Sequence, residues 1–145
     1  MITKVRDDEG STLPLTAFFA ALSLLLVLLV VAATSLYLER KRLFTLADGT
    51  ALVAAESFEL DAVTRTPSGY RPVLTTVQVA KAAEDYLAAF PDDSFDGLQL
   101  VRAESLDGRG ATVTLSSQWR PPVLTLFVPE GLRVEVTVRA RSVFS

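Results

Sequence analysis

The chain has 145 residues, with 14 Lys and Arg against 17 Asp and Glu, a net charge of −3, and neither His nor Cys. That length allows one modest domain with an appendage. The composition excludes imidazole-based triads and metal sites, thiolate zinc sites, disulfides and dithiol redox chemistry. Charge is spread evenly, −1 over residues 1–10, −1 over 39–60 and −1 over 61–145, so no segment is basic enough to serve as a nucleic-acid footprint.

After a short charged leader over residues 1–12, a run of 26 residues from Leu13 to Leu38 carries no charge. As a helix it spans roughly 39 Å at 1.5 Å per residue, more than the ~30 Å hydrocarbon core of a bilayer, and it can cross with tilt. Pro14 sits in the first turn, where its missing N–H costs little, and Ser11 or Thr12 is placed to cap that turn. A cleaved secretory signal has a shorter apolar stretch ending in an A-x-A-like site. This run instead ends in Tyr37-Leu38-Glu39-Arg40-Lys41-Arg42, a charged stop, and reads as a retained transmembrane helix. Charge counting sets Lys4 and Arg6 before the run against Arg40, Lys41 and Arg42 after it, nearly a tie that leans slightly toward a cytoplasmic C-terminus. Arg40, Lys41 and Arg42 suit contact with lipid headgroups.

Helical periodicity continues past the membrane. Leu43, Phe44, Ala47, Ala51, Ala54, Ala55 and Phe58 recur at three- and four-residue steps, which extends the helix over 39–60. Ala47, Gly49, Ala51, Ala54 and Ala55 make a face of small residues that permits close backbone approach. That face calls for a partner, either a neighbouring subunit or the chain's own sheet. Asp48, an acid within this stretch, can pair with Arg42 or with a base on a neighbour, or stay solvated.

Residues 61–145 form a small head. Thr64 to Pro72 reads as a loop by its Pro, Gly and Ser content. A second helix follows, opened by the capping-box pair Thr75 and Gln78, striped by Val79, Ala80, Ala83, Tyr86, Leu87 and Phe90, and stopped by Pro91. Glu84 and Asp85 are adjacent on it and point in different directions, so they form a wet face and no acid–base dyad. Asp92, Ser94, Asp96 and Gly97 match positions one, three, five and six of a calcium loop. Position twelve is Ala103, with Glu104 one residue late, so the segment reads as a solvated connection. Leu98–Ala103, Ala111–Trp119 and Leu132–Ala140 are strand signals, the last two alternating as in a sheet with one buried and one wet face. Asp107-Gly108-Arg109-Gly110 reads as the hairpin turn joining the first two. Arg133, Arg139 and Arg141 share the wet face of the last strand and blunt edge pairing. The expected class is α+β: a long N-terminal transmembrane helix continuing into a head with a second helix and a roughly three-stranded antiparallel sheet. No cofactor site is expected.

The stretch Glu9-Gly10-Ser11-Thr12-Leu13-Pro14-Leu15, the apolar run, the Glu39-Arg40-Lys41-Arg42-Leu43 segment and the run Ala47-Asp48-Gly49-Thr50-Ala51-Leu52-Val53-Ala54-Ala55 together resemble the TadE/TadG-like family of Tad (Flp) pilus-assembly pseudopilins. The resemblance covers about residues 6–58. It implies a minor pilin or pilus-assembly protein with a cytoplasmic N-terminus and an extracytoplasmic head, whose partners are membrane lipid and other Tad subunits. By position, Gly10 would be the last leader residue for a prepilin peptidase cutting before Ser11. Prepilins usually carry Glu five residues after the cut; Leu15 stands there, which suits members that stay in the membrane. The alternative expectation is a membrane-tethered extracytoplasmic binding module outside any pilus. Neither reading involves catalysis.

Overall fold

A computed structural model describes residues 12–57, 63–66, 69–89 and 93–141. Within it the chain divides into two compact units, residues 1–34 and 35–145, and helix α1 (Leu13–Ala55) contributes to both.

In the first unit, every described residue as far as Val31 is exposed, among them Leu24, Leu25, Leu29 and Val30. A soluble protein would bury such a helix, whereas lipid accepts it on all sides. Its most apolar 18-residue window has none of its residues covered by protein, and α1 is long and apolar enough to cross a membrane. Two of its threonine hydroxyls bond inside the helix. Thr16 Oγ1 donates to the Thr12 carbonyl at 3.0 Å, and Thr34 Oγ1 donates to the Val30 carbonyl at 2.8 Å. Without water, such internal bonding keeps hydroxyls inexpensive.

The second unit holds the rest of α1, a hairpin of β1 (Val63–Thr66) and β2 (Gly69–Pro72), α2 (Thr76–Ala89), and strands β3 (Gln99–Glu104), β4 (Gly110–Trp119) and β5 (Leu132–Arg141). The three later strands form one antiparallel sheet in the order β3-β4-β5. A mixed helix-and-sheet unit of the expected α+β class results.

Several local signals act as anticipated. Thr75 and Gln78 close a reciprocal capping box. The Gln78 amide donates to Thr75 Oγ1 at 3.3 Å, and the Thr75 amide donates to Gln78 Oε1 at 3.1 Å. The turn between β3 and β4 is tied by Asp107, whose Oδ1 accepts the amides of Arg109 (3.0 Å) and Gly110 (3.1 Å), while Gly108 takes a φ of +68°. The Asp107 carboxyl is held below the usual carboxylate range, first by the Arg109 amide and then, against some desolvation, by the Arg139 guanidinium, which donates to Oδ2 at 2.6 Å.

Two expectations need correction. Residues 64–72, read as a loop, belong largely to the β1–β2 hairpin, with Thr66 opposite Gly69. Turn-forming residues dominate that stretch and no apolar alternation marks its strands. The helix expected to reach residue 60 ends at Ala55. There the Glu56 amide still bonds to the Leu52 carbonyl at 3.1 Å, and Ser57 Oγ donates to the Ala54 carbonyl at 2.7 Å, satisfying a carbonyl of the last turn. Phe58 and Phe90, expected on the two helical stripes, lie outside the described residues.

Strand register decides which side of the sheet is covered. Cross-strand partners share a face, so Ala111, Val113, Leu115, Ser117 and Trp119 lie with Ala140, Val138, Val136, Val134 and Leu132. Apart from Leu132, all of these are buried. The opposite face carries Thr112, Thr114, Ser116 and Gln118 beside Arg139, Thr137, Glu135 and Arg133. Thr114 and Thr137 share a hydroxyl bond of 2.9 Å there. Sheet order leaves β3 and β5 as edges, and β5 presents Arg133, Arg139 and Arg141 along its exposed side.

Candidate functional site

Within the second unit, α1 presents a stripe that advances mainly by fours. Ser35 and Glu39 are half-buried, Leu43, Ala47, Ala51 and Ala55 are buried, and Thr50 and Ala54 are buried beside them. Small residues let this helix lie close to its cover. Four of the five members of the expected packing face, Ala47, Ala51, Ala54 and Ala55, are therefore interior residues of the chain's own head. The buried hydroxyl of Thr50 is satisfied by the Leu46 carbonyl at 2.7 Å.

Gly49 has a distinct role. A Cβ at that position would lie 3.0 Å from the Tyr86 hydroxyl, so the missing side chain lets Tyr86 of α2 approach α1. Around this approach an open cleft of about 450 Å³ is lined by Arg42, Thr45, Leu46, Tyr86, Ser94 and Phe95.

A polar seam joins α1 to β4. Ser117 Oγ donates to Glu39 Oε1 at 3.1 Å, and Trp119 Nε1 donates to Ser35 Oγ at 3.2 Å. These four residues were not singled out by sequence. Ser35 and Glu39 stand four apart in line with Leu43 and Ala47, and that continuity of the stripe was the available signal.

Other candidate residues are placed as follows. Asp48 is exposed, and no ion pair joins it to Arg42 among the described residues. A six-residue helical step puts the two side chains on different faces, which corrects that intrachain pairing. Arg40, Lys41 and Arg42 are exposed, as are Glu84 and Asp85. Arg133 pairs with Glu135 at 3.5 Å, and Arg139 with Asp107. Gly10, Ser11 and Asp92 lie outside the described residues.

Beyond Asp92, the segment resembling a calcium loop is bound into the fold by Phe95, which is buried, and by the Asp96 carbonyl, which accepts the Gln118 amide at 2.7 Å. Gly97 turns there with a φ of +58°. Among the described residues no three carboxylates gather as a metal site would require. The arrangement is that of packing surfaces, with an apolar helical stretch, a seam and a polar sheet face that is exposed along β5 but covered at Thr114 and Ser116 of β4.

Residues 10–57 match the family model of the putative Flp pilus-assembly TadE/G-like proteins. Those residues are a TadE/G-like segment. The match runs from just before α1 to two residues past its end, so the TadE/G-like segment contains the whole of the long helix. Its charged cluster, Asp48 and the Ala-rich face all fall inside it, whereas α2 and the sheet do not. Comparison with curated proteins and with solved structures returned no match.

Proposed function

We propose that the protein is a single-pass, non-catalytic component of a Tad pilus system, either a minor pilin or a pilus-assembly factor. The observation that carries this reading is the coincidence of the TadE/G-like segment with one lipid-compatible helix. In the proposed arrangement the N-terminus is cytoplasmic and the head extracytoplasmic. The helix bundles with those of other Tad subunits inside the bilayer, where exchanging lipid for another apolar helix costs little.

Because the Ala-rich face is occupied within the head, contact between subunits falls to the apolar run and to exposed head groups. Asp48 is open to a basic residue of a neighbour. Arg40, Lys41 and Arg42 lie where anionic headgroups would meet them. Gly10 and Ser11 are the proposed peptidase junction, with Leu15 in place of the customary Glu.

Deleting the gene in its host and counting surface pili by electron microscopy tests this function. Pili should be lost and return with the full chain, but not with a Leu25→Arg, Leu28→Arg chain whose helix no longer favours the bilayer. Normal piliation in the deletion strain would refute the reading.

A further inference from the structure

The connection between β4 and β5 combines features that a soluble loop rarely shares. From Pro121 to Pro129, nine successive residues, PPVLTLFVP, carry no charge. The backbone closes on itself. The Leu124 amide donates to the Pro121 carbonyl at 3.0 Å, the Val128 amide to the Leu124 carbonyl at 2.7 Å, and the Gly131 amide to the Val128 carbonyl at 3.0 Å. The Thr125 hydroxyl donates to the Pro122 carbonyl at 2.9 Å. With much of its polarity met internally, the loop turns its apolar side chains outward. Leu126 and Phe127 are each 80% exposed, and Val123, Val128 and Leu132 are exposed beside them. Clustered exposed apolar groups of this size mark an interaction surface.

The seam on α1 shows which end of the head carries this loop. Stepping from Glu39 back to Ser35 moves about 6 Å along the helix, and stepping from Ser117 forward to Trp119 moves about 6.6 Å along the strand. The two steps run side by side, so β4 travels toward the end at which α1 enters the head. The loop follows Trp119 and lies at that end. There α1 is uncharged through Leu38, with Tyr37 and Leu38 exposed, and Arg40, Lys41 and Arg42 follow within about one turn. Tyr37, exposed on α1, is of the aromatic type enriched where lipid meets water.

We propose that the β4–β5 loop is a second membrane contact, with Leu126 and Phe127 inserted at the boundary of headgroups and acyl chains. This rests on α1 crossing the bilayer. Lipid is the occupant favoured over a protein because the loop's uncharged stretch continues the uncharged end of α1, and because internally bonded backbone is what apolar surroundings demand. The consequence is a head held against the membrane at two places instead of swinging on one helix.

The absence of cysteine makes the test direct. Single variants Leu126→Cys, Leu26→Cys and Arg109→Cys of the full chain carry a nitroxide label and are reconstituted in phosphatidylcholine–phosphatidylglycerol vesicles. Power saturation against oxygen and a soluble nickel chelate reads depth. Leu26 reports the crossing helix, and Arg109 reports the turn at the far end of β4. The label at 126 should be shielded from nickel and accessible to oxygen, at a depth shallower than 26, while 109 is open to nickel. Adding Phe127→Asp should shift the 126 label toward the nickel-accessible side. A 126 label as open to nickel as 109, or shielded from both reagents as in a protein interface, overturns the proposal while leaving the anchor intact. Nickel access at 26 would overturn the anchor itself.

Discussion

Replacing Leu43 with Ala asks whether the second half of α1 is an integral part of the head. Leu43 is fully buried in the second unit, on the stripe that also includes Ala47 and Ala51. Removing the equivalent of three methylenes at ~0.8 kcal/mol each forfeits about 2.4 kcal/mol of transfer free energy. The residual cavity brings the cost of such a change to about 3–5 kcal/mol. A small domain has only about 5–15 kcal/mol in all, so Leu43→Ala should remove a large share. At roughly 4 °C per kcal/mol, the midpoint should fall by about 12 °C or more. The assay is thermal unfolding of the full chain in detergent micelles, followed by fluorescence of the chain's one tryptophan, Trp119, which is bonded to Ser35 of the same helix. Leu26→Ala, at an exposed position of the apolar run, should leave that midpoint unchanged. If Leu43→Ala melts like wild type, the stripe does not pack the head and the account of the fold is wrong.

Other substitutions probe the remaining devices. Ala51→Leu should overpack the same interior and lower stability by about 1–3 kcal/mol in the isolated chain; an unchanged melt combined with lost pilus assembly would instead place that face between subunits. Gly131 has a φ of +74°, and a Cβ there would lie 2.6 Å from the Trp119 carbonyl oxygen. Gly131→Ala should therefore cost at least about 1–2 kcal/mol, read by the same melt, and a neutral result would contradict that geometry. Because the Asp107 carboxyl titrates below its unfolded value, its contribution is present above about pH 4 and lost as pH falls through the folded value. The stability gap between wild type and Asp107→Asn, measured from pH 7 to pH 2, should narrow at the acid end; a gap independent of pH would show that the charge is irrelevant.

How legible these features were in the sequence depended on how local their causes are. The Thr75–Gln78 cap, the Asp107 turn and the alternation of residues 132–140 each arise from neighbours a few positions apart, and each forms as expected. The β1–β2 hairpin was obscured because Pro67, Ser68 and Gly69 signal a turn more strongly than their neighbours signal strands. The Ala-rich face illustrates a different limit. Periodicity identifies a face that needs cover, but the covering surface is set by tertiary packing, which here uses the chain's own head. The seam from Ser35 and Glu39 to Trp119 and Ser117 joins residues 84 and 78 positions apart, so the polar end of the helical stripe had no visible partner until the sheet was in place.

Affinity purification of the tagged full chain from membranes of its own host, followed by mass spectrometry, tests most directly whether it works by contact within a pilus machine. Other Tad subunits should be enriched with the wild-type chain and lost with a Leu25→Arg, Leu28→Arg chain that is no longer held in the bilayer. Recovery of the intact, membrane-embedded protein without any Tad subunit would contradict the account and favour a tethered binding module.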